Sequence, residues 1–160
     1  MKNIVLRLLF FFLSALGLAQ EQYVFQQLSA EEGVSQSIVY ALAQDSIGNI
    51  WMATEEGVIR YNSKSSKNFN KYSGLPEDFN SRVKSIFIDS EDEVWIGSED
   101  GIAFYDKSKN KFQKVNAQTR LQPSLVEFIT EDDNRNIWFA AYNGVWELTK
   151  SSDSTEVKRF

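Results

Sequence analysis

From Val39 onward the chain alternates apolar and polar residues in short stretches, each bounded by Asp, Asn, Gly or Ser, a period-two pattern that predicts antiparallel β-strands joined by tight turns. The strand-like stretches recur in sets. In the first set Val39 leads to Asp45, Gly48 to Trp51, and Gly57 to Tyr61; the second places Val83, Asp89, Trp95, Gly101 and Tyr105 at the same offsets, and the third Val126, Asp132, Trp138, Gly144 and Leu148. Trp51, Trp95 and Trp138 are thus 44 and then 43 residues apart. Phe25, Phe69 and Phe112 each lie 14 residues before the Val that opens the following set, which adds a fourth strand to each period. Phe160 stands where another such strand would begin.

A four-stranded meander repeated at this period is the signature of a radial array of blades. The sequence therefore predicts an all-β chain, a β-propeller of three four-stranded antiparallel blades over about 39–72, 83–115 and 126–160, with an outer strand at about 22–28. Propellers close with about 4–8 blades, so three form an incomplete ring, and further blades or other copies of the chain are expected to complete it.

The turns carry the same reading. Asp45, Asp89 and Asp132 can each bond their own backbone in a type I turn, with Gly48, Asp92 and Arg135 at the left-handed position that follows; Arg135 is the poorest fit, and its turn is expected to be looser. Glu56-Gly57, Asp100-Gly101 and Asn143-Gly144 mark the next hairpins. Each Trp is expected to fill the space between neighbouring sheets, the alternative being an exposed indole for sugar stacking. One carboxylate per repeat beside a turn reads as turn chemistry rather than calcium ligation, and no metal is expected.

Before Val39 the pattern differs. Lys2 and Arg7 precede an apolar run from Leu8 to Leu18, interrupted by Ser14 and Gly17, and Gly17, Leu18 and Ala19 put small residues at a cleavage position. Residues 1–19 read as a signal peptide cut after Ala19. An uncleaved anchor is the alternative, though the run is short of the about 20 residues that span a bilayer.

Composition narrows the function. The chain of 160 residues is 42% hydrophobic and 14% aromatic, enough for a cored domain. Its formal charge is −5, and loss of Lys2 and Arg7 with the leader makes the remainder more acidic, so neither nucleic acid nor membrane contact by the mature fragment is expected. It has no Cys and no His, which excludes disulfides, thiol catalysis and the commonest general base and zinc ligand. No catalytic residues and no cofactor are expected.

The run from Asp45 to Tyr61, that from Asp89 to Tyr105 with Val94 to Ser98 inside it, and the lead-ins Gly33 to Gln36 and Gly74 to Pro76 resemble two-component regulator propeller repeats, from about Gln22 to Leu148. That resemblance implies the periplasmic sensor of a receptor, with further propeller, immunoglobulin-like and transmembrane parts and a kinase, DNA-binding or cyclase output. Many such hybrid kinases answer to oligosaccharides. It therefore implies an exported, periplasmic, non-enzymatic ligand-sensing segment whose full-length relative is anchored in the inner membrane. A protein-interaction scaffold, or a truncated propeller fragment without function of its own, is the alternative.

If strands run outward in chain order, the loops before Val39, Val83 and Val126 share a face with the Gly57, Gly101 and Gly144 turns. That face offers Gln36, Asn80, Arg82, Arg120 and Gln122, with Glu55, Glu99 and Tyr142 nearby, an amide, charged and aromatic set suited to an oligosaccharide ligand. Asp45, Trp51, Gly57, Asp89, Trp95, Gly101, Asp132, Trp138 and Gly144 are assigned to structure. Neutralising Lys2 and Arg7 together is expected to block export and leave the leader attached; N-terminal sequencing that finds Gln20 as the first residue of the double variant contradicts the leader assignment.

Overall fold

The computed structural model describes residues 38–116, 122–150 and 155–160. The leader, the strand expected at about 22–28, Gln36 and Arg120 lie outside the described residues. Twelve strands follow in order: β1 Val39–Gln44, β2 Ile50–Thr54, β3 Gly57–Tyr61, β4 Ser66–Phe69, β5 Val83–Ile88, β6 Val94–Ser98, β7 Gly101–Asp106, β8 Lys111–Lys114, β9 Val126–Glu131, β10 Ile137–Ala141, β11 Gly144–Lys150 and β12 Thr155–Arg159. They form three separate four-stranded meanders, β1 to β4, β5 to β8 and β9 to β12, every neighbouring pair antiparallel. No helix occurs among the described residues.

The middle sheet packs on both others, chiefly through β5, which touches β1 and β2 on one side and β9 on the other. The innermost strands are thus neighbours, the arrangement of blades around an axis. The three sheets do not close a ring.

The turn after each innermost strand explains the Asp-to-Trp spacing. Indole Nε1–H of Trp51, Trp95 and Trp138 donates to Oδ2 of Asp45, Asp89 and Asp132 at 2.9, 2.8 and 2.9 Å. Oδ1 of the same aspartates accepts the backbone N–H of Asn49, Glu93 and Asn136 at 2.8, 2.9 and 2.9 Å. Each carboxylate therefore closes a turn and satisfies an indole N–H. The looser third turn does not appear: Arg135 takes φ 65° and its N–H reaches Asp132 O at 3.0 Å, the distance found for Gly48 to Asp45 and Asp92 to Asp89. The carboxylate bonds offset the strain of a left-handed arginine.

Burial separates the three indoles. Trp51 and Trp95 are each 2% exposed, whereas Trp138 is only half-buried and packs at a tilt against Phe160, with ring centroids 5.1 Å apart. The expected interblade role thus holds for two of them. Phe128 and Val145 lie on the same face of the third sheet as Trp138 and are exposed. Truncating a fully buried large aromatic costs about 3–5 kcal/mol, and the half-buried third indole has correspondingly less to lose.

The two seams are packed differently. Between the first and second sheets, Trp51, Phe69, Tyr105 and Phe112 form an aromatic cluster with centroids 5.0–6.2 Å apart, alongside the small Ala103 and Ile96. Between the second and third, the repeat-equivalent positions hold Val115, Leu148 and Val157, and bulk moves to Phe139 and Trp146. A hollow of about 420 Å³ remains beside Trp95, Phe104, Val115 and Leu148. Trp146 Nε1–H is buried with no acceptor among the described residues, a cost borne by the second seam.

Asp89 is the most enclosed of the three turn carboxylates. Burial pushes its pKa up, but the Trp95 indole, the Glu93 amide and the Lys150 ammonium at 3.2 Å outweigh it and hold it below the ordinary carboxylate value. Asp45 and Asp132 are also lowered: for Asp45 burial is again outweighed by hydrogen bonds, chiefly from Trp51 and Asn49, and for Asp132 the Trp138 indole is the largest influence. A carboxyl with a folded pKa below its unfolded value, about 3.9, stabilises the fold above that value and ceases to as pH falls through the folded one. Thermal unfolding followed by Trp fluorescence is therefore expected to be flat near neutrality and to fall below about pH 4. Asp89→Asn should start lower and fall less steeply; a variant acid limb parallel to that of the unsubstituted chain contradicts this account.

Candidate functional site

The β2–β3, β6–β7 and β10–β11 hairpins all turn on one face. Pairing of Thr54 with Gly57, Ser98 with Gly101 and Ala141 with Gly144 encloses two-residue loops, Glu55-Glu56, Glu99-Asp100 and Tyr142-Asn143. The loops thus lie one residue earlier than the Asp-Gly and Asn-Gly pairs suggested, with Gly as the residue that follows. Gly57 has φ 134°, and a Cβ there would collide with the Phe69 carbonyl oxygen, so the loop side chains are thrown outward from a fixed base.

The segments entering the innermost strands meet these loops. Glu55 N–H donates to Ile38 O at 3.1 Å, Leu125 N–H to Glu99 O at 3.1 Å, and Tyr142 N–H to Ser124 O at 2.9 Å. Ahead of β5, Arg82 lies across the first seam, with Nη2 3.3 Å from Glu55 Oε1 and Nη1 3.3 Å from Glu99 Oε1. Asn80 donates Nδ2–H to Glu99 Oε2 at 3.2 Å and accepts the Arg82 N–H on Oδ1 at 2.8 Å.

Four of the residues singled out from the sequence, Glu55, Asn80, Arg82 and Glu99, thus come together across two blades. Gln122 and Tyr142 sit farther along the same face: the Gln122 carbonyl accepts from Asn143 Nδ2 at 2.7 Å, and Tyr142 is 86% exposed. Gln36 and Arg120 lie outside the described residues. Among the described residues no three His, Cys, Asp or Glu side chains are grouped to hold a metal ion.

Two features escaped the sequence reading. Each innermost strand carries a β-bulge at one repeat position: the register passes from Val39 to Ala41, from Val83 to Ser85 and from Val126 to Phe128, leaving Tyr40, Lys84 and Glu127 as the extra residues. The Lys84 ammonium rests over the Tyr40 ring at 3.7 Å. These are repeat-equivalent positions whose chemistry changes while the preceding Val does not, which was the available signal. The second feature is Tyr72, 85% exposed on the connection between β4 and β5.

The face is mixed in charge, with Glu55, Glu56, Glu99 and Asp100 against Lys71 and Arg82. Both sides of the Arg82 guanidinium are occupied by carboxylates, so it offers no open anion clamp. The carboxylates retain free lone pairs suited to hydroxyl donors.

The two component regulator propeller family matches residues 33–56 and 77–100, each match running through a lead-in, an innermost strand and the strand after it. The two matches cover two successive repeats and less than half of the chain. A stretch of 72 residues is 36% identical to histidine kinase P4 of Formosa agariphila, covering 42% of this chain and 5% of that protein. The extracellular domain of a putative hybrid two component system from B. thetaiotaomicron superposes with TM-score 0.70 at 21% identity, over 87% of this chain and 20% of that one. Streptogramin B lyase shares the fold at TM-score 0.55 and 20% identity, over 76% of this chain and 40% of its own. The chain therefore spans a small part of the length of the histidine kinase and of the extracellular domain it matches.

Arg82 and its two partners are each close to half exposed, so the bridge is screened by solvent and contributes little to stability. Arg82→Ala is expected to change unfolding free energy by no more than about 1 kcal/mol, measured in urea. A larger loss means that the bridge fastens the first two blades together.

Proposed function

We propose that this chain is a ligand-sensing propeller segment of an exported two-component signalling receptor, and that in the complete protein it helps recognise an oligosaccharide or similar extracellular ligand. The observation that carries this reading is the two-component regulator propeller match in two successive repeats. The clustering of Glu55, Asn80, Arg82 and Glu99 on one face supports it, since that face presents hydroxyl-binding chemistry on rigid hairpins. The periplasm is the compartment, with the complete receptor held in the inner membrane by parts outside this segment; no helix among the described residues is long and apolar enough to cross a membrane.

Enzymatic activity is not part of this reading. The chain has no histidine, and the Glu55 and Glu99 carboxylates of the face are bridged by Arg82 rather than poised as acid and base. The likeness to a lyase is one of fold.

A protein-interaction scaffold is the second reading, favoured by the exposed Phe128, Val145 and Phe160 beside Trp138 on the third sheet. Thermal unfolding of the full chain in the presence of neutral and acidic oligosaccharides tests both. A rise in Tm of several degrees with one class supports sensing. A stable complex with another protein and no response to any sugar supports the scaffold, and turnover of a glycan overturns both.

A further inference from the structure

The β4–β5 connection builds a recess that the site described above does not include. Phe69, fully buried at the end of β4, anchors it from below. Asn70 and Ser73 exchange backbone hydrogen bonds at 2.8 and 2.9 Å, and Asn70 Oδ1 accepts the Tyr72 N–H at 2.9 Å. Gly74 takes φ 94°, and a Cβ there would lie 2.6 Å from Phe69 Cδ1, so the turn rests directly on that ring. The tip is thereby fixed while Tyr72 projects into solvent, an exposed aromatic on a rigid support.

Tyr72 shares a groove with the Glu55-Glu56 hairpin and Ser81. Together with Asn70 and Lys71 they enclose a groove of about 340 Å³, near the lower end of small-molecule sites. Several lining groups make no hydrogen bond or ion pair among the described residues: the Glu56 carboxylate, the Ser81 hydroxyl, the Tyr72 phenol and the Lys71 ammonium, which rests over the Tyr72 ring at 4.8 Å. Glu55, by contrast, is held by Arg82.

We propose that this groove is a sugar-binding subsite that takes an uncharged pyranose ring on Tyr72 and selects against acidic sugars. This rests on the oligosaccharide reading above and adds its location and class. An aromatic platform stacks on the apolar face of a sugar, and Glu56 and Ser81 supply an acceptor and a donor–acceptor for the hydroxyls at its edge. The charge argument sets the class. Two glutamates line the groove, the one nearby guanidinium is already bridged between Glu55 and Glu99, and a uronate would meet Glu56 with only Lys71 to offset it.

The test is titration of the full chain, by calorimetry and by NMR, with the neutral β-1,4-linked tetraoses of xylose, mannose and glucose and with tetragalacturonate as the acidic counterpart. The expected result is binding of at least one neutral tetraose and none of tetragalacturonate. Tyr72→Ala should weaken that binding by about tenfold or more, Tyr72→Phe should retain it, and Ser81→Trp, which fills the groove with a bulky ring, should abolish it. Both positions reach the surface, and far-UV circular dichroism checks that the fold persists. Neutral sugar bound equally by Tyr72→Ala and Ser81→Trp overturns the groove but leaves the sensing reading standing. Tetragalacturonate bound more tightly than every neutral sugar overturns the class. Failure of all four sugars overturns the subsite together with the oligosaccharide reading, while sensing of another ligand class remains.

Discussion

The carboxylate that joins a turn to an indole is the constraint on which the rest of the structure depends. A Trp between two sheets brings a large apolar ring and an N–H that must be satisfied away from water. Asp45, Asp89 and Asp132 provide for both ends of the problem, because one oxygen takes the indole and the other takes the amide that closes the turn. Register between the first two strands of a blade and the seating of the blade on its neighbour are thus set by one side chain. Where bonds alternate so regularly, an arginine at a left-handed position is tolerated.

This is also why so much of the fold could be read from the sequence. The Asp-to-Trp and Trp-to-Gly spacings are fixed by turn and pairing geometry, and such geometry repeats with the chain. The unequal burial of Trp138 could not be read, because its spacing is the same as that of Trp51 and Trp95 and only the neighbour differs. The shift of the hairpin loops from Asp100-Gly101 to Glu99-Asp100 has a comparable cause: dipeptide preference marks a turn without saying which of its positions the glycine holds. At the candidate site, Glu55, Asn80, Arg82 and Glu99 could be placed on one face from strand order, but their mutual bonds depend on side-chain reach across a seam. Tyr72 lies in a connection whose residues do not repeat from blade to blade, so no periodicity pointed to it.

A division of labour follows. Positions that close the turns and seat the indole keep their residue type through the three copies, as the Asp, Trp and hairpin Gly do. Positions that face solution change freely: Glu55, Glu99 and Tyr142 are equivalent, as are Glu56, Asp100 and Asn143, and the bulged Tyr40, Lys84 and Glu127. A bulged residue is released from the ladder, so its chemistry can alter with little effect on pairing. The scaffold and the surface it presents are therefore encoded at separate sites within each repeat.

The unequal seams bear on how such a chain finds its own order. Blades built on one plan risk docking out of turn, each on the wrong neighbour, a hazard common to tandem repeats. Here the first seam carries its bulk at Phe69, Tyr105 and Phe112 beside a small Ala103, while the second carries it at Phe139 and Trp146 beside Val115, Leu148 and Val157. Were the third sheet to settle on the first, Trp146 would meet the place shaped for Ala103, and the aromatic ring at Phe69 would face Leu148 and Val157 in place of Tyr105 and Phe112. Large would press on large at one end and leave a void at the other. Differences in side-chain volume thus act as an address, telling each blade which neighbour is its own.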